Sequence, residues 1–387
     1  MDHFLTDTQK EMVSLTRQIA EGEILPVRAK LDREEIFPRE IMKTLGEAGL
    51  LGVFVPEEYG GLGGTVMDLC LVTEELSRAC LGVSTTYGAI ALATLPILIA
   101  GDQETKARVL PKVANGSWVG AFCLTEAEAG SDAFSMRTRA VRDASSYVIN
   151  GTKQWITNGG EADFYVVIAL TDPARGARGA SAFLVEKDAK GLSFGKREDK
   201  LGIRASATRE VVFEDARVPE ANRIGREGAG FLLTMRTLDR ARVAVGAQGV
   251  GLAAAALEAA VAYARERKQF GKPIAAFQAV GHMLADMAMR VESARALLYA
   301  VARTIDGGCE DFGMESSMAK VIGSDVAMSV ALDAVQVFGG YGYMRDYPVE
   351  KMLRDAKILQ IYEGTNQIQR NEISQALIKR SAKRGGT

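Results

Sequence analysis

One carboxylate stands out for its setting. Ile361-Tyr362-Glu363-Gly364-Thr365-Asn366-Gln367-Ile368-Gln369 sets Glu363 among apolar residues where a helical pattern breaks. Gly364 relaxes the backbone at that point, and Thr365 or Asn366 has the side chain of an N-cap for a terminal helix. A second stretch, Cys123-Leu124-Thr125-Glu126-Ala127-Glu128-Ala129-Gly130-Ser131-Asp132, offers hydroxyls and small residues that could turn backbone N–H groups toward a cofactor ring or a phosphate. Taken alone, the first is also a helix-end carboxylate without a chemical role, and the second an ordinary capped turn. The chain holds only two histidines, His3 and His282, so neither a Ser-His-Asp triad nor a multi-histidine metal centre is readily built. His282 lies among apolar helical residues and reads as a packed or surface side chain. The four cysteines, Cys70, Cys80, Cys123 and Cys309, form no CxxC pair, so no thiolate metal site or disulfide framework is expected. Acid–base work near neutral pH therefore falls to a carboxylate, a lysine or a cofactor.

The elements that must position these residues follow from hydrophobic periodicity. With 387 residues, 47% hydrophobic and 25% charged, the chain is long enough for two or three packed domains. Residues 1–120 carry a helical pattern, punctuated by Pro26, Pro38 and the glycine-rich loop from Pro56 to Gly64. Residues 121–225 shift to short β-type runs: Ser146 to Asn150, Thr152 to Thr157, Phe164 to Leu170, Ala180 to Val185 and Glu210 to Phe213. Asn150-Gly151 separates two of these runs and predicts a type I′ hairpin turn. Residues 226–387 return to helix. There Phe277, Val280, Leu284, Met287, Val291, Ala294, Leu298, Val301 and Ile305 alternate steps of three and four, and the Val321, Met328, Ala331, Val335, Phe338 series is compatible with them. Such spacing suits a left-handed bundle of long helices. The predicted architecture is thus α+β: an N-terminal all-α domain, a middle antiparallel β-domain and a C-terminal four-helix bundle.

Several function classes are disfavoured. A formal charge of −2 provides no global positive field, which argues against a nucleic-acid partner. The longest apolar stretch, Tyr87 to Gly101, has about 15 residues and contains Pro96, whereas a membrane span needs about 20, so it reads as a buried helix. The N-terminus has neither a signal peptide pattern nor an Arg-rich presequence, and the expected location is the cytoplasm. Gly249-Val250-Gly251-Leu252-Ala253-Ala254 fits GxGxxA, a nicotinamide-cofactor fingerprint, but no βαβ pattern surrounds it. Small residues that let helices approach closely are the better account.

Over essentially its whole length the chain resembles the acyl-CoA dehydrogenase family. Cys123 to Ser135 is similar to the family's first signature. Gln336-Val337-Phe338-Gly339-Gly340-Tyr341-Gly342-Tyr343, continuing through Asp346, Lys351 and Asp355, is similar to its second. Trp155-Ile156-Thr157, Arg267-Lys268-Gln269-Phe270-Gly271-Lys272 and Tyr362-Glu363-Gly364-Thr365 resemble further family motifs in the same order. The resemblance implies an FAD enzyme that converts an acyl-CoA to the 2-enoyl-CoA and passes electrons to electron-transfer flavoprotein. It implies a homotetramer as well. Phe122, Leu124, Thr125, Gly130 and Ser131, with Trp155, Ile156 and Thr157, would hold the flavin ring. Arg267, Phe270, Gln278, Gln336 and Gly340 would hold the FAD diphosphate and adenosine across a subunit boundary, and Thr365 and Gln367 would add further cofactor contacts. Ser131, Asp239, Arg242, Tyr362 and Gly364 would meet the substrate, with Asp239 and Arg242 at the CoA moiety.

By the same resemblance Glu363 would be the base that removes the proton next to the thioester carbonyl, with hydride leaving for flavin N5. The enolate oxygen would be met by the Glu363 N–H and an FAD ribityl hydroxyl. An apolar acyl pocket would raise the carboxylate pKa by desolvation. Ala127-Glu128 stands where many relatives have Pro-Gly, which implies altered rigidity in the flavin-side loop. Ser84, Thr85, Tyr87 and Gly88 fall on the stretch that resembles the acyl-tail wall, and their mixed sizes select no chain length. Two other enzymes remain open: an acyl-CoA oxidase, which would make peroxide, and a nicotinamide-dependent dehydrogenase, which would carry no flavin.

Overall fold

The computed structural model describes residues 4–384. His3 and the Gly-Gly-Thr end lie outside the described residues. The first part of the chain is helical: α1 (Asp7–Ile19), α2 (Arg28–Arg33), α3 (Arg39–Glu47), α4 (Val66–Ala79), α5 (Leu81–Ala100) and α6 (Gln103–Ala114). Thr6 and Gln9 form a capping box at the start of α1, and Thr65 and Asp68 form another at α4. Helix α5 is buried along most of its length, although it carries a run of hydroxyl residues. Thr85, Thr86 and Thr94 donate to the carbonyls four residues back, which satisfies each hydroxyl inside the core.

The middle of the chain forms a sheet of eight strands: β1 (Gly120–Cys123), β2 (Arg139–Asp143), β3 (Ser146–Thr157), β4 (Phe164–Leu170), β5 (Ala180–Glu186), β6 (Leu192–Arg197), β7 (Thr208–Pro219) and β8 (Arg223–Ile224). Their order is β6-β7-β3-β2-β4-β5-β8, with β1 beside β4. Pairing is antiparallel except for β1 with β4, and a single β2–β4 contact at Arg139 and Leu170. Strands β1, β4 and β5 are covered on both faces, which is why they read as unbroken apolar runs rather than alternating ones.

The structure corrects one sequence expectation here. Asn150-Gly151 makes no hairpin turn; it lies inside the single long strand β3, and the chain reverses instead at Ala144-Ser145. The register against β7 slips between Ile149 and Gly151, so the dipeptide forms a bulge. Asn150 exchanges two hydrogen bonds with Asp215 on β7, of 3.1 and 2.8 Å. A Cβ on Gly151 would lie 2.4 Å from Thr138 Oγ1. Close approach, not a tight turn, is what requires glycine there.

The last part comprises α7 (Gly230–Glu266), a two-stranded ribbon of β9 (Lys268–Gln269) and β10 (Lys272–Pro273), α8 (Gln278–Asp306), α9 (Gly313–Phe338), α10 (Val349–Ala356) and α11 (Asn366–Arg384). Helices α7, α8 and α9 pack on one another, α11 lies on α9, and α7 reaches across to α4 and α5. The heptad series places Met287, Val291, Ala294, Leu298 and Val301 in the buried face of α8. By length and composition α5, α7 and the stretch Gly313–Tyr343 could each cross a membrane, but 72%, 83% and 50% of their apolar windows are buried within the fold. Helix α5 is longer than the apolar stretch that marks it, because Leu81 to Thr86 join the helix ahead of Tyr87.

Gly249 to Ala254 sits in the middle of α7, with no strand before it. A Cβ on Gly249 would come 2.4 Å from Gly323 O, and one on Gly251 would come 2.1 Å from Glu74 O. These glycines let α9 and α4 approach α7 at backbone distance. Gly251→Val is therefore expected to force helices apart and to cost about 1–3 kcal/mol or more, seen as a lower midpoint in denaturant unfolding.

Candidate active site

A cavity of about 250 Å³ opens where α5, the ends of β1 and β3, α7 and the Tyr362–Gly364 turn converge. Helix α5 contributes Thr85, Gly88, Ala89, Leu92 and Leu95, and α7 contributes Met235, Leu238, Ala241, Arg242, Ala244, Val245 and Gln248. The sheet side presents Phe122, Leu124, Thr125, Gly130, Ser131, Trp155, Ile156 and Thr157. Tyr362, Glu363 and Gly364 close one side, with Ile368 and Glu372 of α11 next to them. Twelve of the residues expected from the sequence to meet cofactor or substrate, or to act as the base, thus share one cavity, although they come from segments far apart in the chain.

Glu363 stands in a strained turn. Its φ is 52° and that of Gly364 is 91°, so two successive residues are left-handed. For a non-glycine residue such a conformation costs about 1–3 kcal/mol and persists only when its surroundings enforce it. The enforcement is visible. Gln369 Nε2 donates to Glu363 O (3.0 Å) and to Gly364 O (3.2 Å), and Lys320 Nζ donates to Gly364 O and to Asn366 Oδ1, both at 2.8 Å. Asn366 in turn donates to Ser324 Oγ and Asp325 Oδ1. Thr365 Oγ1 accepts from Ile368 N and caps α11, which settles the N-cap choice in favour of Thr365. On the other flank, Tyr362 OH donates to Gln248 Oε1, and Gln248 Nε2 donates to Ser84 O (3.3 Å), tying the turn to α7 and α5.

The residue as a whole is half-buried, yet its Oε2 is shut off from solvent and has no hydrogen-bond partner. Burial pushes the Glu363 carboxyl up to about 7, against the opposing pull of Arg242 and Lys320. Arg242 is 3% exposed; it pairs with Asp239 at 2.9 Å and leaves a buried Nε without a partner. Burial raises the Asp239 carboxyl as well, in spite of Arg242. Asp239 sits beside the cavity through this pair rather than in its wall.

Beneath the Leu124–Ser131 loop lies a charge pair that the sequence reading did not single out. Lys153 is fully buried; it donates to Leu124 O and to Glu126 Oε1, both at 2.9 Å. Glu126 also accepts from Arg137 N (2.6 Å) and Thr138 N (3.0 Å). Burial lowers the Lys153 pKa, with Glu126 opposing. The Glu126 carboxyl, which burial alone would raise, is held below its usual range by Lys153 and by these two N–H groups. Glu128, the added charge of the loop, pairs with Arg137 at 2.7 Å on the surface and does not line the cavity.

The remaining sequence candidates lie elsewhere. Arg267 and Gly340 line a second, outward-facing cleft with Tyr263, Ile274, Phe338 and Tyr341, and the Arg267 guanidinium lies over the Tyr341 ring. Phe270 is 91% exposed at a φ of 50°, edge-on to Phe277. Gln278 and Gln336 are exposed, at the start of α8 and near the end of α9, and Gln367 is exposed in the first turn of α11. None of these six enters the cavity that holds Glu363. His282 is exposed on α8. Among the described residues no cluster suited to a metal ion occurs.

Lys320, also missed from the sequence, did leave a trace there. It stands in the stripe Lys320, Ser324, Ala327, Ala331, Ala334, whose steps of four and three mark the buried face of α9. One lysine among small residues on such a face signals a buried cation.

Comparisons with known proteins identify the family. Models of the N-terminal, middle and C-terminal domains of acyl-CoA dehydrogenases match residues 6–117, 121–216 and 228–378. An acyl-CoA dehydrogenase of Bacillus subtilis is 48% identical over 379 residues, covering 97% of this chain and 99% of the relative. A chain in a structure of the electron-transferring flavoprotein of Acidaminococcus fermentans superposes with a TM-score of 0.95 at 47% identity, covering 97% of this chain and 99% of that one. Butyryl-CoA dehydrogenase from Megasphaera elsdenii superposes with a TM-score of 0.94 at 43% identity, with the same coverage of 97% and 99%. Three domain models in order, and near-half identity along almost the full length, place the chain in the acyl-CoA dehydrogenase family.

Proposed function

We propose that this chain catalyses the FAD-dependent α,β-dehydrogenation of an acyl-CoA thioester, with Glu363 as the base. The observation that carries this reading is Glu363 Oε2, shut off from water and without a hydrogen-bond partner, on a carboxylate that lines a largely apolar cavity. A structural carboxylate would have found a partner; an unpaired one is kept for a proton that arrives with the substrate. The backbone N–H of Glu363 has no partner among the described residues and suits a thioester oxygen. One such donor in a dry site contributes about 3–4 kcal/mol to an oxyanion transition state. Tyr362 and Gln248 hold the turn, so the carboxylate need not reorganise when the proton moves.

The residues present fit FAD. The Leu124–Ser131 loop and Trp155–Thr157 wall the cavity, and a Cβ on Gly130 would meet nothing within 4 Å, which leaves an open cradle at that loop. The chemistry a bound FAD supplies is acceptance of hydride from Cβ, so that loss of H⁺ and H⁻ yields the 2-enoyl-CoA. Arg242, with its unpartnered Nε, and Asp239 suit the CoA end. Exposed Phe270, Tyr341, Tyr343 and Met344 flank or adjoin the cleft that contains Arg267 and Gly340, and the adenosine half would sit there, completed by a second copy in a homotetramer. Electron-transfer flavoprotein is the proposed acceptor.

Because the base works ionised and its pKa is about 7, kcat/KM is expected to fall as pH drops through 7 and to level off above it. A profile flat from pH 5.5 to 8 would place the base elsewhere. The function itself is tested by anaerobic titration of the purified holoenzyme with acyl-CoAs of differing chain length. Bleaching of the flavin absorbance is the expected result; no bleaching with any member of the panel would overturn it.

A further inference from the structure

The described residues include three largely buried lysines, and one differs from the other two. Lys153 touches the Glu126 carboxylate at 2.9 Å, and Lys351 touches that of Asp355. Lys320 is fully buried on α9, yet no carboxylate of a described residue lies within salt-bridge reach of it. Its partners are two neutral oxygens, Gly364 O and Asn366 Oδ1, each at 2.8 Å. A buried ammonium without a contacting anion is costly to keep, and a lysine that served packing alone would be replaced by an apolar residue at a gain.

We propose that Lys320 is a positioning residue for proton abstraction: bonded to the Gly364 carbonyl, it fixes the Glu363 turn and supplies a positive charge on the carboxylate's side of α9. The inference rests on Glu363 being the base. Two observations support it. The turn is left-handed at two successive residues, so it needs an external tie, and Lys320 is the charged one. Among the groups that set the protonation of Lys320, the Glu363 charge ranks first after burial, and Lys320 in turn opposes the effect of burial on Glu363. The charges facing Glu363 are otherwise accounted for. Helix α7 presents Arg242, already paired with Asp239; α9 presents Asp325, engaged by Gln360, Asn366 and Arg370; and α11 presents Arg370 and Glu372. The α5 and sheet walls contribute only uncharged side chains there. Lys320 is thus the cation on α9 whose countercharge is the reacting group itself.

Lys320→Met and Lys320→Gln separate the charge from the tie, since Gln retains a donor for Gly364 O without the charge. In the holoenzyme the acid limb of kcat/KM, and the infrared titration of the Glu363 carboxyl assigned with Glu363→Gln, are measured for both. The expected result is a midpoint moved up by about one pH unit in each variant, with kcat lowered more than KM is raised. If Lys320 were only a tie, a loosened turn would admit water and the midpoint would fall, or Gln would restore the wild-type value; either result overturns the proposal. Should the Met variant fail to fold, Gln alone decides by the direction of its shift. Near-normal turnover of Glu363→Gln would instead defeat the base assignment, which keeps the two failures distinguishable.

Discussion

Glu363→Gln is expected to bind flavin and acyl-CoA within a few-fold of wild type and to lower kcat by about three orders of magnitude. The substitution is isosteric, and the turn that carries residue 363 is held by backbone carbonyls rather than by its side chain, so the fold has no reason to change. An amide cannot accept the proton. Because that interaction forms only as the proton transfers, kcat and kcat/KM should fall together. The same variant has a thermodynamic signature. A carboxyl whose folded pKa is raised to about 7 contributes stability that is fully present below its unfolded pKa and is lost as pH rises through 7. Neutral Gln has no such loss. The variant should therefore melt higher than wild type at pH 8, with the difference vanishing near pH 4.

The second large effect concerns the pair beneath the Leu124–Ser131 loop. Glu126→Leu leaves the Lys153 ammonium buried without its anion and strips the acceptor from Arg137 N and Thr138 N. Breaking a buried pair on one side costs about 3–5 kcal/mol. Denaturant unfolding should show this loss, and it should shrink as pH rises, because a buried lysine without its partner gives up its proton while the unfolded chain still binds one. Adding Lys153→Met to Glu126→Leu should recover much of the stability, since an apolar pair needs no compensation. Equal losses in the single and double variants would show that the two charges are not coupled.

Much of the site was legible because it is built from contiguous stretches. Cys123 to Asp132, Trp155 to Thr157 and Tyr362 to Gly364 each carry several contacts in a few residues, so a sequence displays them whole. The order of helix, sheet and helix was legible for a similar reason: period 3.6 and short β-runs are local signals. What escaped was pairing across the fold. Lys153 and Glu126 belong to different segments, and nothing in either marks the other as its partner. Lys320 lies 44 positions from Gly364, and only the smallness of its helical neighbours hints that it is inside. Asn150-Gly151 misled because the dipeptide suits a bulge against β7 as well as a turn, and the strand register that decides between them is set by Asp215 and Thr138. Arg267 and Gly340 could be named but not joined to the cavity, since the cleft they line faces outward, and Phe270, Gln278 and Gln336 are exposed.

The central claim is that Glu363 removes the Cα proton, and isotope exchange at that carbon tests it without requiring turnover. A saturated acyl-CoA analogue that cannot lose hydride is incubated with holoenzyme in D₂O, and deuterium at Cα is followed by mass spectrometry. Wild type should incorporate deuterium at a rate that falls below pH 7, and Glu363→Gln should incorporate none above the uncatalysed background. Exchange in Glu363→Gln at a rate close to wild type would contradict the account, because another group would then be taking the proton.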